Sequence, residues 1–371
     1  MRIIHLEKHM FRSIVASLLI AGSVQAAPAM AAGVKIAVVA PVEGPFALLG
    51  KQMLDGARFQ ADDRGSEIIS IPETCEPSDA ENLKKALLSS GAEAAIGFLC
   101  TESLEATLPA LAEAGIPALT LSVRSDVLME DALKKKWPLF RLVPSARMEA
   151  TKVTEIILSR WKNEPLALIE DGTIHGRELV ESVRVALAEV GLTPVFSDTY
   201  RPAQEQQVSL VRRLAKSGAT HVFTGGDRAD TAIIARDAAS EQVALTLMGG
   251  EALNAADQPI ALANGVLAVS LPDYAVLPEA KVASDAMTAA KLIPEGYVLP
   301  AFSAVALLEQ VKDQAGKDDT PLIEALLKGP YPTAIGPIRF NADHELADNP
   351  YRLLQWRDGR FVPAPTATGT E

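Results

Sequence analysis

Two glycine-rich segments and one acidic segment of this sequence resemble known nucleotide-binding and calcium-binding motifs. Each segment departs from its motif at a position that the chemistry requires. The segment Gly44–Lys51 lies between a predicted strand and a predicted helix, as a phosphate-binding loop does. Five residues separate its glycines instead of four, and Gln52 replaces the Ser or Thr that would bind magnesium. The glycine pair at 225–226 has no third glycine to complete a dinucleotide-binding fingerprint. The segment 341–345 resembles a calcium loop, but Leu346 occupies the position of its required glycine.

Histidine and serine patterns give no catalytic site either. His175, His221 and His344 are isolated in the sequence and have no partner at the spacing of metal ligands. The sequence contains no Gly-x-Ser-x-Gly segment of the kind that presents a nucleophilic serine. We therefore predict a protein that is not an enzyme, with no metal site and no cofactor.

The N-terminal segment predicts export from the cytoplasm. Basic residues precede an apolar run over 14–24, which is shorter than the roughly 20 residues needed to cross a bilayer. Small residues then favour signal-peptidase cleavage after Ala26, with cleavage after Ala31 as the alternative. No cysteine lies near either position, so we expect a periplasmic protein without a lipid anchor.

Charge and length limit the partners and the architecture. Of 35 basic and 47 acidic residues, three basic and one acidic residue lie within 1–26, so the remaining chain has a formal charge of −14. Such a surface repels nucleic acid and anionic lipid, and neither is expected as a partner. About 345 remaining residues exceed what one hydrophobic core usually supports, so two domains are expected.

The two cysteines, Cys75 and Cys100, are predicted to form a disulfide. An exported protein folds in an oxidising compartment, and an even number of cysteines leaves none unpaired. Two separate buried thiols are the alternative.

Short aliphatic runs alternate with segments of helical period, which predicts an α/β protein with parallel sheets. Continuous apolar runs such as Lys35–Ala40 are typical of strands that are buried on both faces. Strands are predicted at 35–40, 68–71, 94–99, 117–121, 166–170, 194–199, 221–225, 244–249 and 265–269. Helices are predicted at 48–62, 78–90, 104–114, 146–161, 178–190, 206–217, 230–239, 280–291 and 298–314. The alternation restarts after Pro144, which indicates two doubly wound domains.

A series of short motifs follows one order along nearly the whole chain after the signal peptide. The motifs lie at 40–50, 55–57, 75–77, 96–100, 115–117, 223–226, 248–251, 296–298, 335–337 and 354–356. In this order, and with this cysteine spacing, the sequence resembles the leucine/isoleucine/valine-binding proteins. These are periplasmic receptors of branched-chain amino-acid ABC importers, and they have the type I periplasmic binding fold.

The resemblance implies three hinge crossovers between the two doubly wound parallel-sheet domains. Domain one would comprise 34–143 and 273–350, and domain two would comprise 144–272 and 351–364, followed by a flexible tail at 365–371. Ligands of such sheets bind beyond the carboxyl ends of strands. The loops that the resemblance brings to one cleft are 97–103, 121–125, 170–176, 225–227 and 250–251.

The resemblance also implies how charged ends of a ligand would be held. In the relatives, a hydroxyl residue after the second cysteine and a Thr in the loop after the fourth strand hold the ligand carboxylate. The first position matches Thr101, which can equally cap a helix. The second falls on Arg124, in the same loop as Ser122, and an arginine there can either grip a carboxylate in a bidentate manner or lie on the surface. Glu251 matches the acid that accepts the ligand ammonium group, with a surface loop acid as the alternative.

The remaining candidate ligand-binding residues depart from the family pattern. Aromatic residues that cover the ligand in the relatives fall here on Leu49, His175 and Asp227, which favours a ligand more polar than leucine. Phe46 would supply an apolar wall or belong to the core.

The resemblance implies a monomeric receptor that closes on a small polar ligand, an amino acid or another carboxylate, and then docks on an inner-membrane ABC permease. A ligand sensor of a signalling system with the same fold is the alternative, and an exported enzyme is less favoured.

Overall fold

The computed structural model describes residues 33–255 and 260–365, so the predicted signal peptide and residues 366–371 of the predicted tail lie outside it. Within the described residues, five strands form a first sheet: β1 Lys35–Ala40, β2 Glu67–Pro72, β3 Ala94–Gly97, β4 Ala118–Thr120 and β5 Leu139–Arg141. Their order is β2-β1-β3-β4-β5, and every neighbouring pair is parallel.

A second sheet follows in the same described part of the chain. Its strands are β6 Leu166–Glu170, β7 Phe196–Thr199, β8 His221–Thr224, β9 Thr246–Gly249, β10 Leu267–Ser270, β11 Arg352–Arg357 and β12 Arg360–Pro363. Their order is β12-β11-β10-β9-β8-β6-β7. The strands β6 to β10 pair in parallel, whereas β11 and β12 form an antiparallel hairpin at the edge.

Helices connect the strands and cover the sheets. Their bounds are α1 Ala47–Arg64, α2 Ala80–Ser89, α3 Thr101–Ala114, α4 Asp126–Lys135, α5 Ala146–Ile156, α6 Ile174–Glu189, α7 Val208–Ser217, α8 Arg228–Ser240, α9 Lys281–Ala289, α10 Val298–Asp318 and α11 Leu322–Leu326. One π-helical turn, Ile157–Trp161, extends α5. Among the helices that the structure describes, none is both long and apolar enough to span a membrane.

Both faces of the first sheet are buried, as the continuous apolar run of β1 predicts. Successive strand residues point to opposite faces. Ile36 and Val38 therefore pack with α1 and α10 on one face, and Ala37 and Val39 pack with α2, α3 and α4 on the other. All four side chains are fully buried. The second sheet repeats the arrangement, with α5 and α6 on one face and α7 and α8 on the other.

The chain passes between the two sheets three times within the described residues. It leaves the first sheet after β5, at 142–145, because α5 packs on the second sheet. It returns after β10, at 271–273, to α9 and α10, and α10 packs against the first sheet. It crosses again at 347–350, between Leu346, which packs against the first sheet, and β11. We call these segments the first, second and third crossings.

Every predicted strand and helix overlaps an observed element, but helices α4 and α11, strand β5 and the hairpin of β11 and β12 were not among the predicted segments. No element was assigned between 121 and 144, where α4 and β5 lie. The local signal for α4 exists, because Ser125 caps it by accepting a hydrogen bond from the Leu128 amide at 3.2 Å. Strand β5 has only three residues and follows Pro138, so its apolar run is too short to be distinctive. The second sheet is also not wholly parallel, since β11 and β12 run antiparallel.

Cys75 and Cys100 are joined by the predicted disulfide, with their Cα atoms 5.5 Å apart. The bond ties the loop after β2 to the residue that precedes α3. Glu73 reinforces the same junction by accepting hydrogen bonds from the amides of Leu99 and Cys100 at 2.8 and 3.1 Å.

Replacing both cysteines, as C75S/C100S, should lower the free energy of unfolding by about 3 kcal/mol, because the disulfide restricts the unfolded chain over a loop of about 25 residues. Urea unfolding of the variant and of the oxidised wild type measures the difference, and reduced wild type should match the variant. Coincident midpoints for the oxidised and reduced wild type would contradict this role.

Candidate ligand-binding site

A cavity of about 240 Å³ lies between the two sheets, beside the first and second crossings. Its wall is mainly apolar, and the residues that form it are Leu49, Leu121, Leu142, Val143, Pro144, Leu271, Tyr274, Gly296, Tyr297, Pro300 and Ile335. The polar members of the wall are Gln52, Arg124 and Glu251. Arg124 follows β4 and Glu251 follows β9, so both come from loops beyond the carboxyl ends of parallel strands, where open α/β sheets bind ligands.

An ion pair between Arg124 and Glu251 joins the loops of the two sheets. The guanidinium donates two parallel hydrogen bonds, from Nη1 to Oε2 at 2.7 Å and from Nη2 to Oε1 at 3.0 Å. Bidentate geometry of this kind is among the strongest polar interactions that side chains make. The two side chains keep 35% and 26% of their surface exposed, so a molecule in the cavity has access to both charges.

Tyr351 completes a triangle with the ion pair. Its hydroxyl donates to Glu251 Oε2 at 2.6 Å and accepts from Arg124 Nη1 at 3.1 Å. Its side chain is fully buried and packs in the core of the second sheet. Because Tyr351 directly follows the third crossing, the position of this crossing is tied to both charged groups.

Both members of the pair are held in their charged forms. Burial alone raises the pKa of Glu251, but hydrogen bonds and charge from Arg124, together with Tyr351 and the nearby His175, bring it below its ordinary value. The pKa of Arg124 is raised, since the attraction to Glu251 outweighs the effect of burial. The cavity therefore offers one cation and one anion, side by side, in an apolar wall.

The similarity of this chain to known proteins agrees with this geometry. The family model described as periplasmic binding protein matches residues 33–360. The chain belongs to the periplasmic binding protein family. The family predicted from the order of the motifs is confirmed.

Individual relatives cover nearly the whole chain. The Leu/Ile/Val-binding protein homolog 3 of Brucella melitensis is 24% identical over 364 residues, which cover 94% of this chain and 98% of that protein. A putative branched-chain amino acid ABC transporter from Rhodospirillum rubrum has a crystal structure with a TM-score of 0.77 at 16% identity, covering 90% of this chain and 100% of the other. A solute binding protein of R. palustris in complex with 4-hydroxybenzoate has a TM-score of 0.63 at 16% identity, covering 90% and 95%. The predicted type I periplasmic binding fold is confirmed.

Arg141 holds the loop that carries Arg124 in this periplasmic binding protein. It ends β5, its side chain is 1% exposed, and Nη1 donates to the Arg124 carbonyl at 2.8 Å. Nη2 donates to Asp126 Oδ1 at 2.8 Å and also to Glu345, which lies just before the third crossing. A buried guanidinium that binds the main chain fixes the loop more firmly than a surface contact can.

Glu149 holds the loop that carries Glu251. It lies in the first turn of α5, is fully buried, and accepts a hydrogen bond from the Glu251 amide at 2.6 Å. Burial raises the pKa of Glu149 to about 7. Gly250 leaves room for this contact, because a Cβ at that position would lie 2.2 Å from Glu149 Oε1.

Three of the predicted site residues lie in the cavity wall, and a fourth touches it. Leu49, Arg124 and Glu251 line the cavity. Ser122 Oγ lies 3.1 Å from the hydroxyl of Tyr297, which donates to it and is itself part of the wall. The structure brings these four residues together, and their roles toward a ligand stay predictions.

The other predicted site residues lie outside the cavity wall. Thr101 begins α3 and is half-buried, and Phe46 is exposed before α1. His175 is exposed in a groove between α5 and α6, although it is near enough to affect the charge of Glu251. Asp227 caps α8 by accepting from the Asp230 amide at 2.8 Å. The expectation of a more polar ligand rested on His175 and Asp227, so the wall itself gives it no support.

Sequence reasoning missed the residues that surround the ion pair. Tyr297 was within a recognised motif, but neither its motif nor its spacing assigned a role to its side chain. Tyr351, Glu149 and Arg141 lie near crossings and contact the site through hydrogen bonds to residues 100, 102 and 17 positions away in the sequence. The acidic residue at 149 and the basic residue at 141 resemble ordinary helix and strand-end charges in sequence.

Replacing Arg141 by methionine should destabilise the fold by about 3 kcal/mol, since it removes a buried charge from two carboxylates. The estimate is at the low end of the range for such pairs, because the Asp126 side chain is 37% exposed and Glu345 16%. Denaturant unfolding measures the change.

The matched control is R339M, which breaks the exposed ion pair of Arg339 with Asp348, whose side chains are 49% and 65% exposed. Its cost should stay within about 1 kcal/mol. If R141M and R339M lowered the free energy of unfolding equally, Arg141 would contribute no more to stability than an exposed arginine does.

Proposed function

We propose that this protein is a periplasmic solute receptor of an ABC importer and that its ligand is an α-amino acid with an apolar side chain. The observation that carries the proposal is the bidentate pair of Arg124 and Glu251 in the wall of a mainly apolar cavity. The name of the Brucella relative, a Leu/Ile/Val-binding protein homolog, supports the same class of ligand.

A zwitterion is the ligand that replaces this ion pair without loss of charge balance. The ligand carboxylate would take the place of Glu251 on the Arg124 guanidinium, and the ligand ammonium would take the place of Arg124 on Glu251. Each protein charge keeps an opposite partner throughout. A ligand with a carboxylate alone would leave Glu251 without its cation, and an unpaired charge in a partly buried site is costly.

The apolar wall supports an apolar ligand body of small size. A cavity of about 240 Å³ is smaller than the roughly 300–1,000 Å³ of sites for drug-sized molecules. Leu49, Leu121 and Leu142 offer aliphatic contacts, while Tyr274 and Tyr297 offer aromatic faces. A branched or aromatic side chain would displace water from these surfaces, which favours binding.

The crossings supply a route to closure on the ligand. In this proposal, domain one comprises 34–143 and 273–350, and domain two comprises 144–272 and 351–364. The cavity adjoins the first and second crossings, and Tyr351 follows the third. A ligand that contacts both charged loops stabilises the closed form, which is how hinge proteins couple binding to shape. The closed monomer, exported after cleavage of its signal peptide, would then dock on an inner-membrane permease.

An aromatic monocarboxylate is the second candidate ligand. The two tyrosines in the wall favour it, and so does the R. palustris relative in complex with 4-hydroxybenzoate. This ligand would use Arg124 and leave Glu251 to Tyr351.

A thermal-shift panel that pairs each amino acid with its des-amino analogue separates the two candidates. Leucine is compared with 4-methylpentanoate, and phenylalanine with 3-phenylpropanoate, with benzoate and 4-hydroxybenzoate added. A ligand at 100 times its dissociation constant stabilises the protein by about 2.7 kcal/mol, which is a clear rise in midpoint. We expect the amino acids to exceed their analogues, and the reverse order would select the monocarboxylate. No response to any member would refute the proposed ligand classes.

Charge-removing variants test the roles of the two residues. R124M should weaken amino-acid binding by about 2–5 kcal/mol, because it leaves the ligand carboxylate unpaired. E251Q should weaken binding of amino acids far more than that of their des-amino analogues. Isothermal titration calorimetry measures both effects.

The control is R184M, which removes an arginine paired with Glu181 on the surface of α6 and should bind like wild type. If E251Q weakened both members of an amino-acid and analogue pair equally, the ammonium role of Glu251 would be wrong.

A further inference from the structure

Glu149 is a buried carboxylate behind the proposed ligand site, not in the cavity wall. Its side chain is fully buried, and Oε1 accepts the amide hydrogen of Glu251 at 2.6 Å. Its other oxygen, Oε2, is buried and has no hydrogen-bond partner within the described residues. A buried polar atom without a partner is uncommon in native proteins and calls for a functional account.

The charged groups that face Glu149 come from every element around it. Glu251 and Arg124 lie on the cavity side, and Tyr351 lies beside them. On the opposite side, in the groove between α5 and α6, the titratable and charged groups are Asp126, Arg147, Glu155, His175, Glu178, Glu181 and Glu189. In the described part of the chain, no cation lies within ion-pair distance of Glu149, and the Arg124 charge is taken up by Glu251.

Among the residues that the structure describes, Glu149 thus has no cation of its own, because Arg124 is paired with Glu251, and burial is the main influence on its proton state. Burial raises its pKa from 4.5 to about 7, and the Glu251 charge acts in the same direction. The hydrogen bond from the Glu251 amide and the charge of Arg124 act in the opposite direction and are outweighed. Glu149 is thus mostly protonated below pH 7 and mostly charged above it.

We propose that Glu149 is a specificity-determining residue, whose charge excludes ligands that carry a carboxylate without an ammonium group. The inference rests on the proposed function. It extends that function by assigning the discrimination to a residue that does not touch the ligand.

The mechanism is electrostatic and follows from the charge count of the site. An amino acid brings one anion and one cation, so the surroundings of Glu149 change little when it binds. A monocarboxylate draws Arg124 toward itself and adds a negative charge near Glu251 and Glu149. Like charges in a desolvated site disfavour each other, so Glu149 must take up a proton for the monocarboxylate to bind. That uptake becomes harder as the pH rises through 7.

The sign of the pH dependence follows from linkage. Binding that takes up a proton weakens as pH rises above the pKa of the free group. Affinity of the wild type for 4-methylpentanoate should therefore fall by about tenfold between pH 6 and pH 8. Affinity for leucine should change by less than about threefold over the same interval.

Calorimetry in two buffers of different protonation enthalpy counts the protons directly and requires no variant. At pH 7.5 we expect uptake of roughly half a proton to one proton with 4-methylpentanoate and close to none with leucine. Equal proton uptake for the two ligands would overturn the proposal while leaving the proposed function intact.

E149Q assigns the effect to this residue. The glutamine keeps an acceptor for the Glu251 amide and removes the charge, so the ratio of leucine affinity to 4-methylpentanoate affinity should no longer depend on pH. Binding of 4-methylpentanoate should lose its pH dependence. If the affinity of E149Q for 4-methylpentanoate still fell with rising pH, another group would take up the proton and the proposal would be overturned.

H175Q is the matched control, because His175 is another titratable side chain near Glu251. In this variant, affinity for 4-methylpentanoate should fall with pH as it does in the wild type, and loss of that fall would move the role to His175.

Ligand-free thermal midpoints give an independent measurement. The midpoint of the wild type should fall relative to that of E149Q between pH 6 and pH 8, since a buried charge forms only in the wild type. If neither ligand binds at any pH, the proposed function fails and this inference fails with it.

Discussion

The ion pair of Arg124 and Glu251 is the interaction on which the arrangement of the site depends. The two residues come from different sheets: Arg124 follows β4, Glu251 follows β9, and they meet beyond the ends of these strands. In an apolar wall, this pair is stronger than in water, and separating it without a replacement is costly. An occupant of the cavity must therefore offer an anion to Arg124 and a cation to Glu251, to replace the partner that each loses when the pair separates. Shape alone would not impose that requirement.

The residues that hold the pair in place also flank the crossings of the chain. Arg141 precedes the first crossing, Glu149 follows it, and Tyr351 follows the third. Each makes a direct hydrogen bond to Arg124 or Glu251. The same short segments therefore contact both charged groups of the site and flank the passages of the chain between the two sheets. Motion of one sheet against the other must alter the contacts of Arg124 with Glu251 and Tyr351, because these join the two sheets. The hydrogen bonds that Arg141 and Glu149 make each connect residues on the same sheet's side.

The sequence was sufficient for the repeating elements and for the ends of the ion pair. Aliphatic runs such as Lys35–Ala40 predict strands buried on both faces, because a parallel sheet covered by helices requires that pattern. Arg124 and Glu251 were identified by resemblance, from loops whose order along the chain is typical of the family. Local sequence patterns carried less information where an element was short, as with β5. They also could not separate a helix cap from a ligand-binding residue, as with Thr101.

Long-range contacts were beyond the reach of the sequence. Tyr351 meets Glu251 across a separation of 100 residues, and Glu149 meets the same residue across 102. Neither contact has a periodic or local signature, because each joins segments that are distant in the sequence and that meet only through the fold of the second sheet. The covering positions at His175 and Asp227 illustrate the converse limit. Their alignment with family positions did not place them in the wall, because His175 lies in the first turn of α6, in the groove with α5, and Asp227 caps α8.

Gly250 restricts how this site can be redesigned. A side chain there would force Glu149 and Leu179 to move, because a Cβ would lie 2.2 Å from Glu149 Oε1 and 2.8 Å from a Leu179 methyl carbon. The loop of the second sheet is therefore a fixed template that presents one carboxylate. Retargeting the protein, for example as a biosensor for a different metabolite, would have to proceed through the opposite wall. Gln52, Leu49 and Leu121 line the cavity there, and they belong to the helix that covers the first sheet and to the end of its strand β4.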